Sequence, residues 1–162
     1  MLNTDTVTST GAQTYVGALS LAENTTLSGS AVATQGTVTG NGSNWLTIAG
    51  NAVLGNSSDD TVSGLSTLAV SGTTVINTAA ITSTGTQTYA GAVSLGVDTT
   101  LTGSTISTQG VVVGAGKSLS ITGAAVLGNG ASDTVTGLNN LSVSGATTLN
   151  TDTVTSTGTQ TY

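Results

Sequence analysis

Ser9-Thr10-Gly11-Ala12-Gln13-Thr14-Tyr15 returns as Ser83-Thr84-Gly85-Thr86-Gln87-Thr88-Tyr89, and again as Ser156-Thr157-Gly158-Thr159-Gln160-Thr161-Tyr162. The steps are 74 residues, from position 9 to 83, and 73, from 83 to 156. A long fixed period of this kind marks a repeat architecture, in which each unit buries its apolar face only against its neighbours.

The slip from 74 to 73 can be placed. The copies match at 74 up to Gly40 and at 73 from Leu46, which aligns with Leu119. The insertion therefore lies between Gly40–Trp45 and Gly114–Ser118. Both stretches are Gly-rich and polar, and the downstream phase is kept, which predicts a surface loop. Trp45 and Lys117, each the only residue of its type, sit in or beside it.

Within each copy the apolar pattern has period 2. Leu119-Ser120-Ile121-Thr122 and Leu141-Ser142-Val143-Ser144 alternate, and each ends at a glycine, Gly123 and Gly145. Short alternating runs closed by Gly or Asn predict strands joined by tight corners, because both residues tolerate the left-handed backbone. β-Branched Val, Ile and Thr recur throughout and suit a pleated surface. The expected fold is an all-β solenoid with three to four coils per repeat. Gly103, Gly123 and Gly145, spaced by 20 and 22, are its expected coil markers. Repeat one spans 1–74, repeat two 75–148, and a third begins over 149–162. Matched apolar pairs such as Leu27 with Leu101 and Val70 with Val143 are expected to stack on one another.

The composition narrows function more than it names it. Charged residues make up 5% of the chain, against about 25% in ordinary domains. Low charge with positive mean hydropathy and no Pro argues against disorder. One basic residue and a net charge of −6 give no electrostatic footprint for nucleic acid. No apolar run approaches the roughly 20 residues that span a bilayer, so no membrane insertion is expected. Met1-Leu2-Asn3-Thr4-Asp5 does not read as a secretory leader.

No catalytic, cofactor-binding or metal-ligating residue is assigned. The chain has no His or Cys, and Ser or Thr nucleophiles need a base. The acidic pair Asp59-Asp60 becomes Ser132-Asp133 in the second copy and reads as a solvated turn. Gly128 to Val135 has some likeness to a calcium nonapeptide, but its spacing is off by one and it occurs once per long repeat. Thr4-Asp5-Thr6, Thr6-Val7-Thr8 and Thr86-Gln87-Thr88 raise ice binding. These triplets cluster in one part of each repeat, so β-propensity is the preferred reading. Tyr15, Tyr89 and Tyr162 read as a stacked aromatic ladder or, second to that, as exposed binding rings, and Asn3, Asn77 and Asn150, like Asn56 and Asn129, as amide ladders.

One stretch carries a resemblance. Thr10-Gly11-Ala12-Gln13-Thr14-Tyr15-Val16-Gly17-Ala18-Leu19-Ser20-Leu21, continued by Asn24-Thr25-Thr26-Leu27, recurs from Thr84 to Leu95 with Asp98-Thr99-Thr100-Leu101. It resembles the repeats of large bacterial surface adhesins of the filamentous haemagglutinin type. That resemblance implies a right-handed parallel β-helix, export through a partner barrel and an extracellular rod on the bacterial surface. The expected role is a structural stalk in attachment or biofilm formation, with no enzyme activity and no cofactor. The expected partners are host-cell, matrix or sibling-cell surfaces, reached through other parts of the protein. Leu149–Tyr162 repeats Leu2–Tyr15 with one change, Ala12 to Thr159. Equal phase at the two ends suggests a length of a longer array, or a filament subunit that associates end to end.

Overall fold

The computed structural model describes residues 1–162, and all of its regular structure is strand. Twenty short strands run from Thr6–Thr8 to Gln160–Thr161. Every strand pairing is parallel. The chain is a β-solenoid, consistent with the right-handed parallel β-helix expected of it.

Three columns of inward residues define three faces. The first runs Val7, Leu27, Ile48, Val70 and on through Tyr89, Thr108, Leu127 and Leu149. Its eight members make about eight turns, separated by 19 to 22 residues. The second face runs from Gln13 through Val32, Ala52 and Thr74 to Val93, Val112, Val135 and Val154. The third runs from Leu19 through Val38, Val62 and Ile81 to Leu101, Ile121 and Val143. Long strands such as Thr25–Thr34 cross a corner and serve two faces.

The repeat does not fill a whole number of turns. Val7 opens the count on the first face, and its equivalent Ile81 lies on the third. Between them the chain advances eleven sides, or three and two-thirds turns. Each repeat is thus rotated by a third of a turn against the one before. This corrects the expected stacking of equivalents: Leu27 lies on the first face, and Leu101 on the third. Val70 and Val143 part in the same way.

The core is a single cluster of 29 buried apolar residues along the axis. Burying each Leu, Ile or Val contributes roughly 1.5–3 kcal/mol, and alternation delivers one such residue every second position. Thr74 interrupts the second face, where its buried hydroxyl has no partner.

Corners are set by glycine. Gly103, Gly123 and Gly145 stack as the sequence indicates, each packed on the backbone of the one below. The matching position in the first copy, Gly50, has φ +146° and lies on the Gly29 carbonyl. A Cβ there would overlap that oxygen, and the backbone strains any L side chain. Gly50→Ala is expected to destabilise the fold by about 3 kcal/mol or more in a denaturant titration. Gly130→Ala, where a Cβ meets open space, should leave the midpoint unchanged.

Candidate functional site

The recurrent Gln-Thr-Tyr is an internal brace. Gln87 is buried where the chain turns from the third face to the first. Its Nε2 donates to the carbonyl oxygens of Ile81 (3.1 Å) and Thr102 (2.8 Å), one in its own turn and one in the next. The Tyr89 hydroxyl donates to Gln87 Oε1 at 2.8 Å. In the first copy Gln13 donates to Val7 (3.0 Å) and Ser28 (2.7 Å), and Tyr15 donates to Gln13. Tyr162 donates to Gln160 in the third. In the first two copies each brace ties a carbonyl of its own turn to one of the next, and Ser28 O accepts from Ser9 N as well as from Gln13.

The tyrosines form no ladder. Tyr15 pairs with Thr34 on the second face, whereas Tyr89 lies between Val70 and Thr108 on the first. The rotation of the repeat separates them. Nor is Tyr89 a binding ring, since it is 0% exposed. The same rotation keeps Asn3, Asn77 and Asn150 from stacking, and Asn77, like Asn51 and Asn24, bridges turns instead. Asn77 Nδ2 donates to Gly55 (3.5 Å), Asn51 Oδ1 accepts from Thr73 N (2.9 Å), and Asn24 Oδ1 accepts from Trp45 N (3.1 Å). Asp98 replaces Asn24 in the second copy and accepts from Ser118 N at 2.8 Å.

Asp133, the acid of the calcium-like stretch, closes its own turn. Its Oδ2 accepts from Asn129 N (2.8 Å) and Gly130 N (3.2 Å). Asp60 does the same with Asn56 N (2.9 Å) and Ser57 N (3.1 Å). The two copies share this turn, and no three acids, His or Cys gather around it. Asp59, the other half of the acidic pair, is exposed.

The predicted loop projects as expected at Asn41, Gly42 and Ser43. Asn44 turns inward and donates to the Leu21 carbonyl at 3.2 Å, and Trp45 is half-buried. The equivalent loop bends at Ala115, with φ +50°, and Gly116, with φ +81°. The loops occupy different corners. The first joins the third face to the first, and the second joins the second face to the third.

All seven acids lie outside the strands: Asp5, Glu23, Asp59, Asp60, Asp98, Asp133 and Asp152 occupy corners. The three faces are therefore uncharged. No pocket opens on them. No family model, curated protein or solved structure matches the chain.

Burial pushes the Tyr89 phenol well above its ordinary range, and Tyr15 and Tyr162 upward to lesser depth. Tyr89 stays protonated in the fold but ionises near pH 10 when unfolded. Stability from this group is thus full below about pH 10 and declines as pH rises beyond it. Thermal melts should show Tyr89→Phe costing about 1 kcal/mol at neutral pH, through the lost hydrogen bond, while flattening the alkaline decline.

Proposed function

We propose that the chain is a stalk segment of a secreted bacterial surface adhesin, a rigid spacer and not an enzyme. The observation that carries this reading is the unbroken parallel stack of about eight turns. At about 4.8 Å per turn it is a rod roughly 40 Å long, stabilised turn upon turn. The resemblance of the Gln-Thr-Tyr stretch to haemagglutinin-type repeats supports the extracellular setting. Uncharged faces with acids confined to corners suit a soluble rod that binds neither nucleic acid nor lipid headgroups. Contact with host, matrix or sibling-cell surfaces belongs to other parts of the protein, held at a distance by the stalk.

Placed between a cell anchor and a binding head, two repeats should extend the reach of the head and raise cell attachment. The head's own affinity should not change. Equal attachment with the 162 residues replaced by a short flexible linker would contradict the stalk reading. Electron microscopy of the isolated chain should show discrete short rods. Unbranched fibres would favour the self-assembling filament instead.

A further inference from the structure

Sorting residues by face changes the reading of the hydroxyl side chains. The outward positions of the third face form two files. One runs Thr61, Ala80, Thr100, Ser120, Ser142, Thr161. The other contains Ser20, Thr39 and Ser63, then Thr82, Thr102 and Thr122. Eleven of these twelve residues are Thr or Ser, and none is buried. Hydroxyls flanking an inward apolar residue thus recur in most turns of the third face, whereas Thr6-Val7-Thr8 and Thr86-Gln87-Thr88 lie on the first.

The sequence repeat does not by itself produce this uniformity, because equivalent positions fall on different faces. Where the copies differ, the hydroxyl follows the face. Ala49 and Ala69 lie on the first face, and their equivalents on the third are Thr122 and Ser142. Thr37 and Thr39 flank Val38 on the third face, and their equivalents beside Val112 on the second are Val111 and Val113. Ala80 on the third face, matched by Thr6 on the first and Thr153 on the second, is the exception. The second face runs the other way. Ala31, Ala33 and Val75 there correspond to Thr105, Ser107 and Thr148 on the first.

We infer that the third face binds ice. The face is a regular array of hydroxyls, about 4.8 Å apart between turns and about 6.7 Å apart along each strand. The oxygen repeats of ice lie in the same range in two directions. Thr is stiff at χ1, so its hydroxyl and methyl are fixed before contact and little freedom is lost on binding. No hydroxyl in the two files bonds to another protein atom; nearby Ser144, by contrast, accepts from Gly123 N at 3.0 Å. A neutral face complements a neutral lattice, since a carboxylate would hold its own hydration shell, and every carboxylate here stands at a corner. Crystalline sugar surfaces are usually gripped by aromatic rings, and the two files contain none.

The test is thermal hysteresis of the 162-residue chain, with ice-crystal habit recorded under the microscope. A gap between melting and freezing that grows with concentration, with faceted crystals, is expected. Thr102→Tyr and Thr122→Lys, which add a bulky ring and a charge to the hydroxyl array, should each remove most of the gap. Thr14→Tyr on the second face should keep it. Circular dichroism confirms that each variant is folded, and the Lys variant stands in should the Tyr variant fail. No gap from folded chain, equal losses from both faces, or adsorption to cellulose without hysteresis would overturn the inference.

Discussion

The parallel backbone ladder sets every other feature of this molecule. Stacking strands at about 4.8 Å requires each turn to trace the same outline as the one below. An outline drawn with four-residue strands needs sharp corners, and the corners need backbone where a Cβ would strike the turn beneath. Glycine is therefore placed by the stack, as at Gly50 on Gly29 and Gly123 on Gly103. Side chains tie the turns together at the corners: Gln87 Nε2 donates to two carbonyls inside, and Asn51 Oδ1 accepts a backbone N–H outside. Residues that do not fit this outline, such as the extra one in Gly40–Trp45, are expelled as loops.

A repeat of eleven sides on a three-sided coil has a second consequence. Each repeat position visits a different face in each copy. Leu, Ile and Val can serve on any face, because the core is similar all round. Outward positions cannot serve so freely if the faces differ in what they meet. The exchange of Thr39 for Val113, and of Ala69 for Ser142, shows the outer surface keeping a pattern that the repeat alone would scramble.

Much of the fold was legible from the residues. Alternation in Leu119–Thr122 and Leu141–Ser144 gave inward and outward positions correctly, and the glycine spacings of 20 and 22 matched the stacked turns. The loop was legible because a length change is tolerated only outside the ladder. Which residues meet was not legible. Equal sequence suggested equal place, so Tyr15 and Tyr89, or Leu27 and Leu101, were expected to stack. The count of sides per repeat depends on corners that take two residues in one place and six in another, and no local signal fixes that count. The hydroxyl face was missed for the same reason: its members come from unlike positions of the repeat.

The most direct test of the account is disulfide trapping, since the chain has no cysteine of its own. Ser120→Cys with Ser142→Cys places thiols on adjacent strands of one face, within the reach of a disulfide. Thr47→Cys with Ser120→Cys places them at equivalent repeat positions on different faces. Mild oxidation should close the first pair within a single chain and leave the second open. An unreacted first pair in folded chain would contradict this stacking of turns, and the second pair, more than three turns away along the rod, is the control for closure in unfolded chain.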